Sequence, residues 1–263
     1  MLGSLALSSC GEHRVRLHAP LETGRRLDYR LRLDAAVSRT LEGATRLQHI
    51  EASFRAGQEI LESLPGGGAR ARMTLEPVSL RVDGEPQEAG RGQEFVVTLA
   101  PSGQIVELEE SEGAAAESLE LVGLERLLPR LRPVLPEEPV APGDRWASES
   151  DLTDEEGAFS LSARSRLERL GTVADRPAAL VRTIYRSPVD RRETLANATA
   201  ALVGTDIGTQ EAWFALDGSL LLSEGDAVGR YRITFTPPGG ELGLRPVTGR
   251  LRVELHTEMA LVA

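Results

Sequence analysis

The chain has 263 residues, a formal net charge of −10 at pH 7, 41% hydrophobic residues and 27% charged residues. This length allows one large domain or two domains of ordinary size, each with its own hydrophobic core, and the composition is that of a folded protein. The acidic balance argues against a nucleic-acid-binding surface, and the lack of an apolar run of about 20 residues argues against a transmembrane helix.

The amino terminus contains the only cysteine, Cys10, at the end of the tetrapeptide Leu7-Ser8-Ser9-Cys10. An apolar residue, two small residues and a cysteine resemble the lipobox of bacterial lipoproteins. In that family the cysteine is joined to diacylglycerol, acylated with a chain such as palmitate, and becomes the mature amino terminus. The resemblance implies that residues 1–9 are part of a signal peptide, that Cys10 is a membrane anchor, and that residues 10–26 are a tether.

The match to a signal peptide is incomplete. No basic residue precedes Cys10, and the apolar run is shorter than the roughly 7 to 15 residues that a signal peptide uses. We expect that the natural start lies upstream of Met1. A chance occurrence of the tetrapeptide is the alternative.

Alternating apolar and charged residues in the first half predict β-strands. In residues 29–35, Tyr29, Leu31 and Leu33 share one face and charged residues occupy the other. Pro101 and Gly103 separate two such runs, which is typical of a hairpin turn. The other strands of this half are predicted in residues 46–56, 69–75, 95–99 and 105–108.

One helix is predicted in residues 114–132, because leucines spaced by three and four residues form a single apolar stripe. The stripe consists of Leu121, Leu124, Leu128 and Leu131. We expect it to pack on a sheet. Residues 133–145 are rich in proline and predict an extended connector, followed by Trp146 as a core residue.

The second half also alternates, and its Gly218 lies between two apolar runs as Gly103 does in the first half. This similarity favours either a duplicated β-rich module or one long meander. The predicted strands are residues 158–167, 178–186, 198–204, 210–216, 219–223, 229–236 and 249–261.

The sequence therefore predicts an α+β fold that is predominantly antiparallel β, with strongly curved, half-barrel-like sheets in two lobes and one main helix packed on the sheet. The lobes are residues 27–132 and 146–263. The lipobox-like cysteine, this strand pattern and the passage from Val140 to Trp146 are similar to uncharacterised bacterial cell-envelope lipoproteins. They also resemble, more loosely, curved-sheet carriers of lipoproteins and lipids, which implies an apolar hollow for acyl chains.

No residue pattern points to catalysis, a cofactor or a metal. The four histidines, His13, His18, His49 and His256, lack the helical spacing of a zinc site, and His49 and His256 are predicted to be exposed strand residues. A nucleophile elbow and a phosphate loop are also missing. All basic residues are arginines, which the composition of a GC-rich genome explains; a choice of arginine for binding anions is the alternative.

The function expected from these observations is that of a membrane-anchored extracytoplasmic lipoprotein without enzymatic activity. It is predicted to bind an apolar ligand or lipid between sheet and helix, and the candidate wall residues are Leu31, Leu33, Phe54, Leu121, Leu124 and Leu128. Ordinary core packing is the alternative for each of them. The alternative function is an envelope structural or protein-interaction lipoprotein with a filled core and an exposed apolar or charged patch. An enzyme, the third hypothesis, requires a cleft that gathers residues distant in sequence.

Overall fold

The protein is nearly all β: of the residues that the structure describes, 73% are in strands and 3% are in helix. The computed structural model describes residues 14–113, 119, 124–154, 157–195, 198–236 and 245–262. Within these residues no helix combines the length and the apolar character needed to cross a membrane. The elements are β1 (Arg26–Leu41), β2 (Ala44–Ser63), β3 (Ala69–Val82), β4 (Glu85–Pro86), β5 (Gln93–Leu99), β6 (Ile105–Glu112), α1 (Leu124–Leu131), β7 (Arg145–Asp154), β8 (Gly157–Val173), β9 (Arg176–Leu195), β10 (Ala198–Ala215), β11 (Leu220–Thr236) and β12 (Val247–Leu261).

All of these strands belong to one antiparallel sheet whose path forms a nearly closed barrel of eleven strands. The order is β6-β5-β3-β2-β1-β12-β11-β10-β9-β8-β7, and β4 pairs with β3 beside this path. The first and last strands of the chain are neighbours, with the ladder running from Tyr29 opposite Leu261 to Leu41 opposite Gly249. The free edges, β6 and β7, come close together. There the Gln104 side-chain amide donates a 2.5 Å hydrogen bond to the carbonyl of Glu149.

The predicted α+β class with two lobes and one main helix is wrong. The β1–β12 ladder joins the two halves edge to edge, so they form one sheet instead of two packed lobes. Of the helix predicted in residues 114–132, the described helical stretch is α1, which contains Pro129. Residues 114–118 and 120–123 lie outside the described residues. A single apolar stripe therefore did not define the fold class, since the described helical residues are a small part of an otherwise β structure.

Alternation explains which face of each strand lines the barrel. On β1 the residues Tyr29, Leu31, Leu33, Ala35 and Val37 are buried, and the charged residues between them face solvent. The predicted segments lie in strands, apart from single residues at two ends, and several observed strands are longer than expected. Residues 219–223 and 229–236 were predicted as two strands but belong to the single strand β11, and β4 and β7 were not predicted. Residues 198–204 and 210–216 belong to the single strand β10, because polar and glycine residues continue the inner face between them.

Three non-strand parts of the chain fill the described interior. They are α1, the proline-rich connector that follows it, and the segment before β1. Each part contributes a leucine that is almost completely buried: Leu127 of α1, Leu135 of the connector and Leu17 of the segment before β1. Val15 and Val140 hydrogen-bond to each other through both backbone groups, at 2.8 and 2.9 Å. The predicted tether of residues 10–26 thus includes residues that pack against the barrel.

The two glycine turns predicted from the sequence have the same geometry. Gly103 and Gly218 have φ of 78° and 77°, and each donates a 2.8 Å hydrogen bond to the carbonyl three residues earlier. A side chain is strained at such φ values. A Cβ on Gly218 would also overlap the carbonyl of His18 in the segment before β1. Glycine is needed here both for the turn and for the close approach of that segment.

We expect Gly218→Ala to lower the free energy of unfolding by about 2 kcal/mol more than Gly24→Ala does. Both glycines have a positive φ, but a Cβ on Gly24 has no atom within 4 Å, so this variant reports the backbone strain alone. Urea unfolding of the two variants measures the difference. Equal losses would show that the segment before β1 does not pack on this turn.

Candidate functional site

The predicted wall residues lie on the inner side of the barrel where the structure describes them. Leu31, Leu33 and Phe54 are buried members of one apolar cluster, and Leu128 of α1 packs against that cluster. Leu121 lies outside the described residues, and the side chain of Leu124 is not described. The sheet and α1 therefore face each other as the hypothesis requires, but core packing explains the same burial.

A small cavity of about 60 Å³ lies where the end of α1 meets the sheet. Leu128 and Leu131 of α1 form one apolar side, and Met73 and Met259 contribute to the other. Of the predicted wall residues, Leu128 is the one that lines this cavity. The rest of the lining is mixed: it includes the polar residues Tyr29, Gln58 and Arg132, which the sequence pattern did not indicate, beside apolar residues such as Leu75 and Leu220.

Three buried hydrogen-bond donors lie on these polar lining residues. The Tyr29 hydroxyl, Gln58 Nε2 and Arg132 Nε have no hydrogen-bond partner among the described residues. Arg132 does use its other nitrogens, donating to Gln58 Oε1 at 3.3 Å and to the carbonyl of Gly218 at 3.0 Å. A buried donor without an acceptor costs about 1–3 kcal/mol, so three around one cavity indicate room for an acceptor there.

The electrostatic character of the cavity is set by Arg132. The guanidinium lies 5.9 Å from the centroid of the Phe214 ring, and no carboxylate within the described parts of the chain forms an ion pair with it. Burial is the main cause that lowers the pKa of Arg132; Tyr29 opposes this shift, and the charge of Arg25 adds to it. Arginine nevertheless keeps its proton in proteins. Burial raises the pKa of Tyr29, so its hydroxyl is a neutral donor. A cation with neutral donors suits a small anionic group.

A second polar cluster fixes α1 to the opposite wall. Arg130 Nη2 forms a 2.5 Å ion pair with Asp206 Oδ2, and these side chains are only 8% and 5% exposed. The hydroxyl of Tyr231 donates to the other oxygen of Asp206, and the Arg130 guanidinium lies 5.9 Å from the centre of the Tyr185 ring. The Gln210 amide donates a 2.6 Å hydrogen bond to the carbonyl of Leu131. These contacts define one position of α1 in the barrel.

Glycines in the middle of the strands make room for this cluster. Gly208 is directly opposite Tyr185 on β9, and a Cβ at this glycine would overlap the tyrosine ring. Asp206 is directly opposite Gly229 on β11, where a Cβ would overlap both Asp206 and Tyr231. Sequence reasoning missed the cluster. The available signal was glycine inside a strand, which often marks a close approach.

The outer face carries a separate group of titratable side chains. The ligand atoms of Asp34, His49 and Glu51 lie within 4.8 Å of one another, and His49 Nε2 is 2.9 Å from Asp34 Oδ1. His256 is opposite Asp34 in the β1–β12 ladder and is hydrogen-bonded to Asp226, which raises the pKa of this histidine. Both histidines lie on the outer face, as the strand pattern predicts. Strand pairing brings the group together, so sequence spacing gave no sign of it.

In comparisons with known proteins, no family model and no curated protein matches this chain. The cavity at Arg132 is therefore the strongest described feature for inferring function. It joins an apolar wall to a buried cation with unused donors. In the second cluster, by comparison, Arg130 and Asp206 form an ion pair with each other, and this pair holds α1 in place.

A double-mutant cycle tests the tyrosine–glycine contact that shapes the second cluster. We expect Gly208→Ala to lower the free energy of unfolding by about 2 kcal/mol, because the added methyl group displaces the Tyr185 ring. In a Tyr185→Ala background the same change costs at least about 1 kcal/mol less, because the ring is gone. Urea unfolding of the four proteins gives the coupling. Additive losses would mean that the ring does not lie on Gly208.

Proposed function

We propose that this chain is a membrane-anchored extracytoplasmic lipoprotein that binds an amphiphile between α1 and the inner face of the sheet, without catalysis. The anionic head of the ligand lies at Tyr29, Gln58 and Arg132, and its apolar chain lies along the barrel wall. The observation that carries this proposal is the cavity in which an apolar wall meets a buried cation and three unused donors.

The size of the cavity defines which part of the ligand it receives. A volume of about 60 Å³ suits a carboxylate or a few waters, whereas an acyl chain is several times larger. We therefore place the acyl chain between α1 and the apolar cluster that contains Leu31, Leu33 and Phe54, with the start of α1 moving away from the sheet while the Arg130–Asp206 ion pair holds its end. Leu128 then contacts the ligand from the helix side, whereas Leu121 and the side chain of Leu124, on the same predicted stripe, are not described. A short helix with an internal proline is suited to this displacement.

The anchor in this proposal is a lipidated Cys10. The described chain starts at Arg14, whose guanidinium donates a 2.9 Å hydrogen bond to the carbonyl of Pro139 on the connector. Cys10 is four residues before Arg14, and four residues of fully extended chain span at most about 14 Å. The barrel is thereby held close to the membrane that supplies or receives the amphiphile.

The second candidate function is that of an envelope structural or protein-interaction lipoprotein. It is favoured by the packing of the described interior, where Leu17, Leu127 and Leu135 are almost completely buried. It is also favoured by the dense charge on the outer strands. In this candidate the cavity holds water alone, and partners bind the outer surface.

Fluorescence titration of the full chain as Cys10→Ala, after delipidation, separates the two candidates. We expect saturable binding of dansylated undecanoic acid and its displacement by palmitate. Arg132→Gln lowers the affinity for the dansylated acid by about tenfold or more, because a hydrogen bond between charged groups is lost. Hexadecanol, which has no negative charge, binds both proteins equally.

The matched control is Arg55→Gln, which removes an exposed outer-face charge from the strand that carries Gln58. It leaves the affinities unchanged. Thermal unfolding checks that Arg132→Gln folds, since the change removes a buried charge but also removes the hydrogen bonds to Gln58 and to the carbonyl of Gly218. If the parent protein fails to bind the dansylated acid, the amphiphile proposal is wrong and the second candidate is favoured. Equal loss of acid and alcohol binding in Arg132→Gln contradicts the anionic head site.

A further inference from the structure

Four exposed arginines line an open groove of about 680 Å³ on the outer surface of β7, β8 and β9. They are Arg145, Arg164, Arg166 and Arg182, which we call the β7–β9 arginine face. Ile184, whose surface is 55% exposed, lies among them. The groove therefore combines concentrated positive charge with a small apolar area on a chain whose net charge is −10.

Strand pairing places these positive charges against each other. Arg166 lies directly opposite Arg145 on one side and Arg182 on the other. Like charges in such positions destabilise a sheet. Two carboxylates offset them in part, with Glu168 at 3.5 Å from Arg166 and Glu211 at 3.9 Å from Arg182.

Two members of the face keep their charge uncompensated. Arg145 and Arg164 form no ion pair within the residues that the structure describes. Binding of an external anion would reduce the repulsion among these arginines. A guanidinium group suits phosphate, because two of its N–H groups can donate to two phosphate oxygens.

The start of the described chain lies beside this face. Arg14 Nη2 is 3.4 Å from Asp144 Oδ2, and Asp144 directly precedes Arg145 at the start of β7. Residue 10 is four residues away, or at most about 14 Å of extended chain. An anchor at Cys10 therefore keeps the β7–β9 arginine face within reach of the bilayer surface.

We propose that the β7–β9 arginine face docks on the phosphate headgroups of an anionic phospholipid bilayer. The guanidinium groups bind headgroup phosphates, and the exposed Ile184 enters the apolar edge of the headgroup region. The inference deepens the proposed function and rests on it for the anchor at Cys10. The charge complementarity is independent of that anchor, so the face binds vesicles without lipidation.

A second set of arginines provides a matched control. Arg230 is opposite Arg252, and Arg232 is opposite Arg250, on the outer face of β11 and β12. This set also has four arginines, here in two opposed pairs, whereas in the β7–β9 arginine face Arg164 lies opposite Ala147 and Ile184. It lies toward the other end of the barrel, since Arg250 pairs with Thr40 near the β1–β2 turn. If net attraction to any arginine cluster were enough, both sets would contribute to membrane binding.

The test is co-sedimentation of the full chain as Cys10→Ala with vesicles of phosphatidylcholine, alone or mixed with phosphatidylglycerol. We expect binding only to the mixed vesicles, with an affinity that falls as salt is raised. Replacing the four arginines of the β7–β9 face with glutamine lowers the affinity by about tenfold or more. Replacing the four arginines of the β11–β12 set with glutamine leaves the affinity within about twofold of that of the unsubstituted face, although the net charge of the protein changes by the same amount.

Three results would overturn the docking proposal. They are equal binding to both kinds of vesicle, a loss of binding confined to the β11–β12 variant, and binding to soluble polyphosphate without binding to vesicles. If the fourfold variant does not fold by circular dichroism, Arg145→Gln/Arg164→Gln replaces it with the same criteria. Titration with dansylated undecanoic acid is unaffected by these outer-face changes, so failure of the docking surface is distinguishable from failure of the ligand site.

Discussion

The pairing of the first strand with the last is the constraint on which the rest of the structure depends. The β1–β12 ladder turns two runs of strands into one sheet and leaves β6 and β7 as its edges. The connection between those edges has to cross the barrel, and it does so as α1 and the proline-rich connector. Tyr29 and Met259, which are far apart in sequence, consequently share one cavity with Arg132.

Two arginines at the end of α1 show two physical solutions for a buried charge. Arg130 has Asp206 as an ion-pair partner, which places α1 in one position in the barrel. For Arg132, two residues later, the hydrogen-bond partners among the residues described are the neutral Gln58 side chain and a backbone carbonyl, and none is a carboxylate. The unpaired charge is the reason to propose an anionic ligand. The proposed function therefore rests on the difference between neighbouring residues rather than on the barrel fold, which is compatible with many functions.

The strands were predictable because alternation of apolar and charged residues is a local property. Leu31, Leu33 and Phe54 were placed on the inner face for this reason, and the turns at Gly103 and Gly218 follow from glycine between apolar runs. The pairing of β1 with β12 was not predictable, since a pattern of period two does not specify its partner strand. The two-lobe prediction failed at that point.

The polar interior was missed for a related reason. Asp206 and Gly208 interrupt the apolar alternation, so β10 was predicted as two strands although it is one. Their role depends on Tyr185 and Arg130, which only the folded chain brings to them. The same holds for the arginines of the β7–β9 face, whose opposition depends on strand register. The anchor at Cys10, which lies outside the described residues, stays a prediction.

The most direct measurement is a crystal structure of the protein grown or soaked in bromide, with anomalous diffraction to locate the ion. Bromide is a small anion that needs a positive charge and hydrogen-bond donors but no particular shape. We expect an anomalous peak inside the barrel, between the Tyr29 hydroxyl, Gln58 and Arg132. A cavity that holds only water at high bromide, or side chains that close it, would contradict the anionic site.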